Sequence, residues 1–154
     1  MQQKKKASLV VSLFGLLALA ATGLALAAVS AKPAAKKFTA ALNVGQEPGV
    51  VKATQRGAAG RFTATLSGTT LTYTLTFSHL SGAATAAHIH GPAARKVSAG
   101  VLVPLCGPCT SPVHGSATLT QDQIGQLQQG KTYANVHTAK NPNGEIRGQI
   151  TAVG

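Results

Sequence analysis

The segment Thr70-Leu71-Thr72-Tyr73-Thr74-Leu75-Thr76-Phe77 alternates hydroxyl-bearing and apolar residues over its whole length. Side chains at i and i+2 of a strand share a face. The pattern therefore predicts a half-buried strand, with Leu71, Tyr73, Leu75 and Phe77 inward and the threonines outward. The same period runs on either side. Phe38, Ala40, Leu42 and Val44 share one face of a first strand; Phe62, Ala64 and Leu66 share a face of another, and Ser67-Gly68 turns the chain into Thr70. Further strands are expected over 84–90, 99–105, 113–119, 132–138 and 145–152, with Gly and Pro in the gaps. Asn141-Pro142-Asn143-Gly144 is a turn signal that joins the last two as a hairpin. One short helix is expected near 120–129: Thr120 caps it, Gln123 sits at the reciprocal position, Gly130 stops it, and Ile124 and Leu127 form its buried stripe. Many short strands with little helix and no fixed-period repeat imply an all-β fold, an antiparallel Greek-key-like β-sandwich of immunoglobulin-like architecture.

The N-terminus bears on compartment. Lys4-Lys5-Lys6 precede an uncharged run from Ala7 to Val29, and Val29-Ser30-Ala31 offers small residues for cleavage after Ala31. This is the build of a secretory signal peptide, expected over 1–31. Uncleaved, the same run is long enough, at about 20 residues, to anchor the chain in a membrane. Residues 32–37 read as a linker, which leaves 38–154 as one domain large enough for a real core. The formal charge of the whole chain is +11, and only Glu47, Asp122 and Glu145 are acidic. Export argues against nucleic acid as the partner of so basic a chain; anionic cell-surface polymers fit better. Three scattered carboxylates do not make a glycosidase pair. No nucleophile elbow is present, and no catalytic residue is assigned.

The residues with most chemical content are histidines. In Ala86-Ala87-His88-Ile89-His90-Gly91-Pro92 the two imidazoles stand two apart. On a strand they project side by side, on the face expected to carry Ala84 and Ala86, opposite Thr85, Ala87 and Ile89. His137, in Tyr133-Ala134-Asn135-Val136-His137-Thr138, is the natural third member of a metal site for copper or zinc. The alternative is a pair held by backbone and solvent. His79 and His114 read as surface residues. Around the last hairpin, Glu145 is placed to orient a histidine and Arg147 to draw an anion toward a cationic site. Cys106-Gly107-Pro108-Cys109 has the spacing of a redox dithiol, but it lacks the strand-to-helix setting of one. In an oxidising compartment a disulfide pinning the turn is the better reading.

Several motifs occur together in order. They are Phe38-Thr39-Ala40-Ala41-Leu42, Gln46-Glu47-Pro48, the strand at 70–75, Leu80-Ser81-Gly82, the His88–His90 run, Val101-Leu102-Val103-Pro104-Leu105, Asn135-Val136-His137-Thr138, and Asn141 through Gln149. In this the chain resembles the CHRD, or chordin-type, domain family over nearly all of 38–152. The resemblance implies a secreted all-β module with no established reaction, acting as a binding or surface module. Growth-factor binding by chordin is attributed to cysteine-rich modules that this chain lacks. A weaker similarity is to copper/zinc superoxide dismutase, whose architecture the fold class also fits. His88, His90 and Arg147 echo that family's His-x-His strand and late arginine, which would imply a copper site with weak redox activity. The zinc loop and its aspartate have no counterpart here.

Overall fold

The computed structural model describes residues 34–53 and 56–154. The expected signal segment, 1–31, and the start of the linker lie outside the described residues. The elements run β1 (Lys36–Asn43), a 3-10 turn (Val44–Gln46), β2 (Ala59–Ser67), β3 (Thr70–Ser78), β4 (Ala84–His90), β5 (Val101–Cys106), β6 (Val113–Thr118), α1 (Gln121–Gln128), β7 (Tyr133–Thr138), β8 (Ile146–Gln149) and β9 (Thr151–Val153). β1 thus takes in Lys36 and Lys37, where a linker is expected from sequence. Among the described residues no helix is long and apolar enough to cross a membrane.

The strands form one antiparallel sheet in the order β5-β4-β7-β8-β1-β2-β3-β6, with β9 also on β1. The sheet rolls into a nearly closed barrel or sandwich. Across the closure the Tyr73 hydroxyl on β3 donates to the Leu105 carbonyl on β5 at 2.9 Å. The alternation read from sequence sets the inner face. Phe62, Leu71 and Leu75 are fully buried, with Phe38, Ala40, Leu42 and Tyr73 beside them. Each fully buried large side chain contributes about 1.5–3 kcal/mol. α1 covers this core with Ile124 and Leu127 and carries the full capping box, Thr120 with Gln123. Its C-terminus closes with Gly130 N–H on the Leu127 carbonyl and Lys131 N–H on that of Gln126, the paired bonds of a Schellman ending.

The segment expected as one strand over 145–152 is divided. β8 pairs with β7 and, at Arg147, with Asn43 of β1; β9 pairs with the other end of β1. Between them Ile150 is fully buried, and its N–H bonds the Thr132 carbonyl. Gly148 lies where β8 passes closest to β1: a Cβ there would stand 2.5 Å from the Ala41 carbonyl oxygen.

β4 departs from simple alternation. The register shifts between Ala84 and Ala86, so the extra residue Thr85 is turned out and exposed. The sequence expectation put Ala84 on the histidine face; the bulge instead places it in the apolar core with Ala87 and Ile89. The disulfide Cys106–Cys109 closes the turn after β5, and Cys109 N–H bonds the Ala84 carbonyl at 3.1 Å.

Candidate metal centre

The polar face of β4, β7 and β8 carries the chemistry. Ala134 and Val136 of β7 point into the core, so Tyr133, Asn135 and His137 share the opposite face. Antiparallel register sets His90 against Tyr133, His88 against Asn135, and Asn135 against Arg147. Loops cover this face, and every residue of β7 and β8 is buried. Loop 91–100 lies over it: its Ala93, Ala94, Val97 and Ala99 carbonyls accept from Gln149, Arg147 and His90. The barrel therefore has an apolar interior and, on one outer side, a second, polar interior.

His88, His90 and His137 come together there. Each offers a ring nitrogen within 4.8 Å of the others'. His88 Nδ1 lies 3.1 Å from His137 Nε2. Two imidazole nitrogens that share an ion at about 2.0–2.1 Å stand about 2.9–3.4 Å apart for angles near 90–109°. With His137 Nδ1–H committed to the Pro142 carbonyl, this contact is a hydrogen bond from His88 Nδ1–H to His137 Nε2; its length is also that of two co-ligands, with an ion taking the place of the proton. His90 offers a nitrogen within 4.8 Å of both, so its ring must draw in to complete a three-nitrogen set. Neighbours fix the tautomers. His90 Nδ1–H donates to the Ala99 carbonyl and His137 Nδ1–H to that of Pro142, each at 3.0 Å. Both Nε2 atoms thus keep a lone pair facing the cluster. His90 Nε2 is buried without any partner, an arrangement that costs free energy unless a ligand satisfies it.

Burial holds all three histidines below the usual imidazole range, and repulsion between neighbouring imidazoles adds to this at His90 and His137. At neutral pH the cluster is uncharged, the form that ligates metal.

The other expected residues divide. Arg147 borders the site: it is 1 % exposed, and its guanidinium carbon lies 3.4 Å above the Tyr133 ring centre. Nη1 and Nη2 donate to the Val97 and Ala94 carbonyls. Tyr133 also stacks on His90, with centroids 4.9 Å apart and planes 6° from parallel. Because β7 runs between β4 and β8, the ring is sandwiched between His90 and Arg147. Glu145 does not orient a histidine. It is fully buried and accepts from Ser81 N–H, the Ser81 and Thr138 hydroxyls and Asn141 Nδ2. The Ala99 and Pro142 carbonyls orient the imidazoles in its place. His79 and His114 are exposed, as expected.

Sequence reasoning did not reach Glu47, Asn135 or Tyr133 as site residues. Glu47 Oε1 and Asn135 Oδ1 are both buried without a partner. Burial raises the Glu47 carboxyl to about 7 against the opposing pull of Arg147. The strand alternation of Tyr133, Asn135 and His137 could have marked two of them. Nothing local marks Glu47, which arrives on the loop after the 3-10 turn.

Compared with known proteins, the family model described as CHRD domain matches residues 38–150. No curated protein and no solved structure matches the chain. The ordered motifs, the all-β fold they form and a family match over most of the chain lead to one conclusion: this chain belongs to the CHRD domain family.

Proposed function

We propose that the domain is an exported metal-binding module whose ligands are His88 Nδ1, His90 Nε2 and His137 Nε2. The observation that carries this reading is the unpartnered, buried His90 Nε2 beside a His88–His137 pair already at co-ligand spacing. Three neutral nitrogens without thiolate or carboxylate suit copper or zinc, and nitrogen donors hold Cu(II) more tightly than Zn(II). Three protein ligands leave a coordination position open. The signal-like segment at 1–31 supports export, where no cytosolic pool competes for the ion. The test is calorimetric titration of tag-free protein with Cu(II) and Zn(II). One equivalent should bind and raise the melting temperature, and His88→Ala with His90→Ala should abolish both effects. Unchanged melting with either ion would remove the proposal.

A second reading rests on charge. Among the described residues nine lysines and arginines are exposed, whereas Asp122 is the one exposed carboxylate, Glu47 and Glu145 being buried. So one-signed a surface favours anionic polymers as partners. Binding to a soluble anionic polymer such as dextran sulfate that weakens steeply with added salt supports this reading; salt-independent binding opposes it.

A further inference from the structure

Beside the histidines lies a cleft of about 550 Å³, bounded by the loop at 47–51, Ser98 and Ala99, and the Asn143–Gly144 turn. Its floor is Tyr133, Asn135, Arg147 and the edge of His90. This is the size of a small-molecule site. Glu47 and Asn135 are 7 % and 3 % exposed, and each brings a polar atom without a partner, Oε1 and Oδ1. Both converge on Gly144. A Cβ there would stand 2.6 Å from the Asn135 amide atoms and 2.8 Å from Glu47 Oε1. Gly144 has φ +127°, so it is the residue type that allows this approach on both counts.

The lining selects the ligand. Unpartnered carboxyl and amide oxygens call for a molecule with O–H or N–H donors. Aromatic ligands find no free ring face, because His90 and Arg147 already flank Tyr133. Charged ligands find no free counter-charge, since the Arg147 guanidinium already donates to the Val97 and Ala94 carbonyls and the buried Glu47 borders the same space. At the rim Pro48, Val50 and Val51 supply apolar contact, and Val50 is 94 % exposed.

We infer that this cleft binds a small neutral polyol, of monosaccharide size, through hydrogen bonds from its hydroxyls to Glu47 and Asn135. The inference goes beyond the metal reading and does not depend on it. The test uses isotope-labelled protein titrated with glycerol, xylose and glucose, following the Gly144 backbone amide and the Asn135 side-chain amide by nuclear magnetic resonance. The expected result is a saturable shift of both signals by at least one of the three, with a dissociation constant on the order of 1 mM. Glu47→Leu, on a loop, should weaken it about tenfold. Asn135→Leu should do the same, provided circular dichroism shows the fold retained. Shifts that grow linearly without saturating, or saturation that Glu47→Leu leaves unchanged, would overturn the inference. His88→Ala separates the two sites: it should abolish copper binding and leave the polyol shift in place.

Discussion

Replacing Glu145 with glutamine tests the buried polar knot that holds the last hairpin. The carboxylate accepts from Ser81 N–H through Oε1, and from the Ser81 hydroxyl, the Thr138 hydroxyl at 2.6 Å and Asn141 Nδ2 at 3.0 Å through Oε2. In Glu145→Gln the amide oxygen can keep the Ser81 N–H, and both hydroxyls can rotate to accept. Asn141 Nδ2 cannot reverse its role, so donor faces donor. Asn141 Nδ2 keeps the Lys52 carbonyl at 2.9 Å and a longer contact to Ser81 Oγ at 3.3 Å, so the cost is the charge-assisted bond itself, about 1.5–3 kcal/mol. For a domain of this size that lowers the melting temperature by up to roughly 10 °C. Charge gives a second signature. Burial alone would raise the Glu145 pKa, but the bonds from Ser81, Thr138 and Asn141 outweigh it and hold the value below the usual range. The wild-type advantage is therefore complete above the unfolded value near about 4.3. It is lost as pH falls through the lower folded value. Thermal melts by circular dichroism of both proteins should show a constant gap from pH 5 to 8 that narrows below about pH 4. A gap under about 2 °C at neutral pH, or one that persists undiminished in acid, would refute the reasoning.

Copper affinity, measured by competition with a chelator, should hold steady at neutral pH and fall only below about 6.5, because burial keeps the three imidazoles deprotonated into mild acid. A decline that begins above pH 7 would contradict this. Metal-free stability should follow the same sign, lost as pH falls from about 6.5 through the depressed folded values. Gly148→Ala should destabilise by about 1–3 kcal/mol or more, since its methyl meets the backbone of Ala41 rather than a movable side chain; urea unfolding measures it. Joint replacement of Cys106 and Cys109 by serine should cost only about 2 kcal/mol, because the loop it opens is very short. A larger loss would mean the bridge also positions β4 through Ala84.

What the sequence made legible was local. The alternation in Thr70–Phe77 needs only the pleat of a strand, and Thr120 and Gln123 form their box within one helical turn. The histidine cluster was half legible: His88 and His90 share a face by spacing alone, whereas His137 joins them through the β4–β7 register. Two kinds of information stayed hidden. The bulge at Thr85 adds one residue, and no breaker residue announces it, so strict alternation puts Ala84 on the wrong face. Partner choice among buried polar groups was the other. Glu145 stands eight residues after His137 in the chain, but its bonds reach back to Ser81, a pairing that only the folded chain creates. Glu47 reaches the cleft the same way, on a loop that Asn141 pins through both the N–H and the carbonyl of Lys52.

The seating of β1 against β8 and β9 bears on how the domain is made. Thr39 and Thr151 are cross-strand neighbours although 112 residues separate them. β1 is the first strand of the domain to leave the ribosome, and it stays half-partnered until the last strand follows. Contacts of such separation carry a high loop-closure cost and slow the folding of β proteins. A nascent chain that ends before β8 can pair β1 with β2, and β2 with β3, but cannot join β1 to β7 through β8. The polar pocket on β7 and β8 forms only at that closure. The polar face of β7 and β8 and the completed sheet thus arrive together, and a chain truncated before Arg147 would have neither.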